Sequence, residues 1–213
     1  MKRRTLDILF SIGGLGIAVL LLVAGLVLTS NANFATTYVA DQLAQQNITF
    51  KTVDQLTPEE RALPGLVEYA GQKLTTGKQA EAYAGYIGLH LKSTAGGKTY
   101  AELGTPQSEL RTKLADAQKN NPAAVPELQK QLNEVTAQRE TVFKGETLRG
   151  LLLTTYGFSE FGTKADQFAT VAYAAAALML LLSLAGFAHA WFTPPTVPFA
   201  AVENQTLVGS KNT

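Results

Sequence analysis

Two stretches of this chain run without a fixed charge for the full thickness of a lipid bilayer, and they limit what the rest can be. Residues 8–29 (ILFSIGGLGIAVLLLVAGLVLT) carry none over 22 positions. At 1.5 Å per residue they form a rod of ~33 Å, enough to cross a ~30 Å hydrocarbon core. Residues 168–192 (FATVAYAAAALMLLLSLAGFAHAWF) make a second stretch of 25, with no Asp, Glu, Lys or Arg and one histidine, His189. Hydrocarbon offers the backbone no hydrogen-bond partner, so such segments cross as helices. Residues 31–167 hold 14 Lys+Arg and 15 Asp+Glu, the composition of a soluble domain. The charged fraction of the whole chain, 16 %, falls below the roughly 25 % of soluble domains because of the two apolar stretches. The expected architecture is an all-α membrane protein: two transmembrane helices flanking an extracytoplasmic helical domain that contains a charged helical hairpin. Its parts are a cytoplasmic N-terminus (1–7), transmembrane helix 1 (8–30), the extracytoplasmic helical domain (31–167), transmembrane helix 2 (168–192) and a cytoplasmic extended tail (193–213).

Orientation follows from Lys2, Arg3 and Arg4 directly before the first span, since basic residues stay on the cytoplasmic side. Long loops translocate largely regardless of charge, so the insert is expected outside and both termini inside. Trp191 and Phe192, followed by Pro194 and Pro195, mark the second exit as an aromatic anchor and a helix stop. A rival reading makes residues 8–29 a cleaved signal peptide with Ser30-Asn31-Ala32 as the small-residue site. The run exceeds the usual 7–15-residue apolar core of such peptides, which favours a retained anchor. Three prolines in the tail predict extended chain.

Within the insert, residues 33–46 keep helical spacing, with Phe34, Tyr38 or Val39, and Leu43 on one side, so the first helix is expected to continue to about Gln46. Ile48-Thr49-Phe50 is a short extended candidate. Thr57 followed by Pro58-Glu59-Glu60 reads as a helix start, and Pro64-Gly65 as its end. A longer helix is predicted over 78–93, with Ala80, Tyr83, Ile87 and Leu91 on one face and Gly96-Gly97 closing it. Residues 106–119 and 126–156 form the charged hairpin, in which Leu110 and Leu114 meet Leu128, Leu132 and Val135. Leu148, Leu151, Leu152, Leu153, Tyr156, Phe158 and Phe161 are too apolar for a free surface and are expected to pack on other helices. Gly157 and Gly162 would allow a bend into the second span.

The chemistry of most enzyme classes is missing. The chain has no cysteine and two histidines, and a net charge of +1 excludes nucleic-acid binding driven by bulk charge. No phosphate-binding loop, nucleophile elbow or dinucleotide fingerprint occurs; Gly13-Gly14-Leu15-Gly16 lies in a span, where glycine serves packing. His90 reads as a packed or surface histidine and His189 as an interfacial one. The expectation is a chain that is not an enzyme and needs no cofactor or metal. Carboxylates at Glu68, Glu81 and Glu146 converging on one cleft would revive catalysis. A deep apolar pocket under residues 148–161, with Tyr69, Tyr83 or Tyr86 at its mouth, would mark a ligand-binding module.

One pattern rises above background. In the second span, steps of four and three pick out Ala165, Ala169, Ala172, Ala176, Met179, Ser183, Gly186 and Ala190, nearly all small. The first span offers Ser11, Gly14, Ala18 and Gly25 on a similar seam, interrupted by Leu21. Lipid tails give helices no hydrophobic drive to pair, so association relies on close backbone approach across small side chains. The partner of each seam is either the other span or another protein.

Several segments carry a family resemblance: Tyr38-Val39-Ala40-Asp41-Gln42-Leu43, Glu68-Tyr69-Ala70-Gly71-Gln72, Gly77-Lys78-Gln79-Ala80, Gly97-Lys98-Thr99-Tyr100 and residues 145–153 (GETLRGLLL). As a set they resemble the actinobacterial two-span membrane proteins often labelled aromatic ring-opening dioxygenase subunits. Two separated histidines assemble no metal-ligand set, so that label does not carry over. The chain is also similar to the mycobacterial respiratory supercomplex association factors, which accompany cytochrome bcc and aa3-type oxidase. That resemblance implies a non-catalytic accessory role in the cell membrane, with other membrane-protein subunits and the lipid bilayer as partners. It supplies no catalytic residues.

Overall fold

The structure, a computed structural model, describes residues 2–197. It is all-helical among the described residues, and an isolated antiparallel bridge joins Thr49 and Lys73. Five α-helices follow in order: α1 (Arg3–Gln45), α2 (Pro58–Arg61), α3 (Gly77–Thr94), α4 (Gly104–Asn120) and α5 (Val125–Phe192). Helices α1 and α5 each contain a stretch long and apolar enough to cross a membrane. The chain divides into two compact units. One takes the residues up to Asn31 together with those from Ala165 on; the other is Ala32–Lys164.

Helix α1 continues past the apolar stretch because residues 33–45 contain neither Gly nor Pro. It ends where Asn47 takes a left-handed conformation (φ 56°), which Asn tolerates better than most side chains. Helix α2 begins as read: the Thr57 hydroxyl accepts from the Glu60 N–H, and the Glu60 carboxylate accepts in return from the Thr57 N–H at 2.9 Å. Thr76 and Gln79 repeat the reciprocal cap at the start of α3.

The core of the Ala32–Lys164 unit joins Val39 and Leu43 of α1 to Phe50, Leu56, Leu66, Leu74 and Leu152, against Ala80, Ala82 and Ala84 of α3. Burial of Ala82 and Ala84 as well as Ala80 gives α3 a wider covered arc than the predicted single face. A second cluster gathers Ala95, Leu103 and Val142. In the hairpin Leu114 and Ala117 are buried, and Arg139 of α5 clamps the start of α4. Its Nη1 donates to the buried Gln107 side chain at 2.7 Å, and its guanidinium lies 4.1 Å above the Tyr100 ring.

Helix α5 passes Gly157 and Gly162 without interruption, so the hairpin arm expected to end near Tyr156 continues into the second span as one helix. Gly162 faces α1, where an added methyl would meet Ala35 Cβ at 2.8 Å. The apolar residues 148–161 are also largely bare: Leu152 is buried, but Leu148, Leu151, Leu153, Phe158 and Phe161 are exposed. One helical face can meet the core, and a run apolar on all sides leaves the remainder uncovered. The tail falls mostly outside the described residues; within them, the Val197 carbonyl accepts from the Arg3 N–H at 3.2 Å.

Candidate functional site

In the unit built from the spans, the small residues meet one another. Ser11, Gly14, Ala18 and Gly25 of α1 are buried, as are Ala169, Ala172, Ala176, Ser183 and Ala190 of α5; Met179 and Gly186 are half-buried. A methyl added at Gly14 would strike Ser183 and touch Met179. At Gly186 it would strike Ser11, and at Gly25 it would enter the Tyr173 ring at 2.6 Å. The backbones therefore approach across glycine where a larger side chain would separate them. Two polar contacts reinforce the pair. Thr29 and Tyr173 share a hydrogen bond of 3.0 Å, and Asp7 Oδ2 lies 2.8 Å from His189 Nδ1. Each seam finds its partner in the other span of the same chain, which leaves the large Leu, Val, Ile and Phe side chains facing outward.

The Ala32–Lys164 unit holds a buried acid that sequence spacing alone did not assign a role. Glu60, 1 % exposed, accepts on Oε1 from Lys51 Nζ at 2.8 Å and lies 2.8 Å from His90 Nε2, while Oε2 caps α2. The Lys51 hydrogen bond, then the Thr57 N–H, hold its carboxyl down to about 2 against burial. The same hydrogen bond raises Lys51. The Tyr86 ring lies tilted against His90 with centroids 4.5 Å apart, and Lys51 Nζ sits 5.2 Å over Tyr86. Every lone pair used is occupied, so this cluster joins the segment after α1 to α2 and α3. The spacing Thr57-x-x-Glu60 was a legible sign of the cap; the partners at 51 and 90 come from other elements, and no local pattern points to them.

The three carboxylates at 68, 81 and 146 do not share one cleft. Glu68 and Glu81 line a cleft of about 380 Å³ beside Lys78, whose ammonium is raised by Tyr156 and Glu160. Glu146 lines a different cleft of about 330 Å³ and pairs with Arg149 at 2.9 Å. Among the described residues no group of three His, Asp or Glu side chains is placed to hold a metal ion.

An apolar groove of about 490 Å³ does lie along residues 148–158, open on one side. Its walls are Tyr38, Val39 and Leu43 from α1 and Leu148, Leu151, Leu152 and Phe158 from α5, with Gln42, Gln46, Thr154 and Thr155 between them. Tyr69 and Tyr83 are not at its mouth. They pack on Phe50 in the core with ring centroids at 5.9 and 5.4 Å, and burial raises both phenols. Tyr38 takes that place, in a triad where Phe34 stacks on Tyr38 at 5.7 Å and Phe158 stands edge-on to both. No protein family, characterised relative or solved structure matches the chain.

Proposed function

We propose that this chain is a membrane-anchored, non-catalytic accessory subunit that docks onto a larger membrane-protein assembly. The observation that carries this reading is the set of large apolar side chains left bare on the helical domain: Phe34, Phe143, Leu151 and Phe161 are 61, 56, 62 and 76 % exposed. Bare aromatic and leucine side chains in such number are the usual mark of a protein or membrane contact. The buried acid Glu60, by contrast, is tied into pairs with Lys51 and His90, and Glu146 pairs with Arg149. Placing the domain outside the cell rests on the basic N-terminus. The resemblance of the quoted segments extends the proposal to the cytochrome bcc and aa3-type oxidase assembly as the partner.

The test is purification of the tagged chain, at native expression, in a mild detergent. Larger membrane proteins should accompany it in fixed ratio, identified by mass spectrometry and by haem absorbance. Phe161→Glu and Phe143→Glu alter side chains that are mostly solvent-facing, so the fold should survive. An unpaired carboxylate at a contact costs about 2 kcal/mol or more, which weakens docking by roughly thirtyfold. A chain that runs alone, or variants that retain the partner unchanged, would count against docking.

A second reading, a ligand-binding module held at the membrane, is favoured by the groove between α1 and α5.

A further inference from the structure

The cleft between α3 and residues 142–149 of α5 carries an unbalanced charge. Lys92, Lys98 and Arg149 line it together with a single carboxylate, Glu146. Glycine shapes it in two places. Gly85, Gly88 and Lys92 follow one another at steps of three and four along one face of α3. At Gly85 an added methyl would meet nothing within 4 Å; at Gly88 it would press on Arg149 Nε at 3.2 Å. Gly88 therefore makes room for a guanidinium from α5 close to the backbone of α3. Beyond the helix, Gly96 and Gly97 take positive φ (58° and 80°), and the Gly97 N–H donates to the Lys92 carbonyl at 2.8 Å. That reversal would be strained with larger side chains, and it turns the chain back so that Lys98 lines the same cleft as Lys92.

We propose that this cleft binds a phosphate group, borne by a small soluble molecule or by a lipid headgroup. Donor geometry and charge select the ligand. Arg149 spends Nη1 on Glu146 at 2.9 Å, while its Nε and Nη2 have no acceptor among the described residues. Those two N–H groups form the edge of the guanidinium that takes two oxygens of one anion side by side. Lys92 and Lys98 are exposed, and neither has an ion pair among the described residues. Lys92 lies in the last turn of α3, where a cation offsets the negative end of the helix. Lys98 follows that turn and Arg149 belongs to another helix, so the helix end does not account for all three. Three cations against one carboxylate leave two positive charges uncompensated. A phosphate monoester near neutral pH carries about −1.5 to −2 and matches them, whereas a carboxylate would leave one unanswered. Leu91 and Val142 are buried behind the cleft, where water competes less for the same donors. This inference needs no partner complex, so it stands or falls separately from the docking proposal.

Lysine footprinting reads the site in the full chain. The protein in phosphatidylcholine nanodiscs is acetylated with and without sodium phosphate at constant ionic strength, and the rate at each lysine is followed by mass spectrometry. In a second arm the discs contain phosphatidic acid and the buffer holds no phosphate. A bound phosphate occupies the ammonium groups, so Lys92 and Lys98 should slow about fivefold at concentrations a few times Kd. Lys113, exposed on α4, should keep its rate. Slowing in the first arm assigns a soluble ligand, and slowing in the second alone a headgroup. Arg149→Gln removes the fork, and Arg149→Lys keeps the charge without it. Either should raise the concentration for half protection about tenfold. The wild-type rates decide the question even where a variant fails to fold, as judged by its melting curve. Unchanged rates at Lys92 and Lys98 in both arms overturn the proposal. Equal slowing at Lys113 does so as well, since it reports attraction to basic surface in general. Protection that survives both Arg149 variants in folded form also overturns it.

Discussion

At the scale of single residues, Glu60 is the most constrained side chain in the helical domain. A carboxylate that is 1 % exposed must be compensated, and here Lys51, His90 and the Thr57 N–H do so on its two oxygens. Its folded-state value, about 2, lies below the ordinary 4.5. A depressed carboxylate stabilises the fold fully above its unfolded value, and that contribution is lost as pH falls through the folded one. Stability of the domain should therefore decline progressively between about pH 4.5 and 2. Lys51, raised by the same bond, sets the opposite edge: its contribution is present below about 10.5 and fades above it. Glu60→Gln removes the charge but keeps the size. It should lower stability at neutral pH by about 1–3 kcal/mol and flatten the acid limb, read from thermal unfolding across pH. An unaltered acid limb in Glu60→Gln would show that other carboxylates set it.

At the scale of helices, the glycines of α5 separate space from propensity. Gly145 and Gly150 lie on one helix, and replacing either by alanine gains up to about 1 kcal/mol of helix propensity. At Gly150 an added methyl meets nothing within 4 Å, so Gly150→Ala should raise the melting temperature. At Gly145 it would run into the buried Leu91 side chain of α3, and overpacking costs about 1–3 kcal/mol. Gly145→Ala should thus lower the melting temperature although the local preference favours it. Equal shifts in the two variants would mean that α3 and α5 do not pack as closely as described. The same distinction explains what could be read beforehand. Periodicity marks faces, so the starts of α2 and α3, the extension of α1 and the small seams of the spans were legible. The buried stripe of α1 keeps its three-and-four spacing beyond Gly25, through Ala32, Ala35, Val39 and Leu43, where the small-residue reading stopped. Side-chain size changes from small to branched only after Ala35, while the spacing persists. Residues 148–161 misled because apolar content shows how much surface seeks cover; it does not show whether the fold provides any.

At the scale of the whole molecule, the sidedness proposed for the chain depends on three basic residues, Lys2, Arg3 and Arg4, at one end of α1. The positive-inside bias acts on residues near a span and hardly on a long insert, so these three outweigh the 14 cations of residues 31–167. The chain lacks cysteine, so its sidedness can be read by single introduced thiols without removing any native one. Asn133→Cys lies on the exposed part of the hairpin and Lys2→Cys before the first helix; both positions are solvent-facing. In intact cells a membrane-impermeant maleimide should label the thiol at 133 and spare the one at 2. After permeabilisation both should react. Alkaline carbonate should leave the chain in the membrane pellet, because two apolar helices hold it there by burial against lipid and not by surface charge. Labelling at 2 but not at 133 in intact cells would invert the orientation and place the groove and the bare phenylalanines in the cytoplasm. Release by carbonate would remove the membrane from the account, along with the physical reason for two uncharged helical stretches that bury only their small faces.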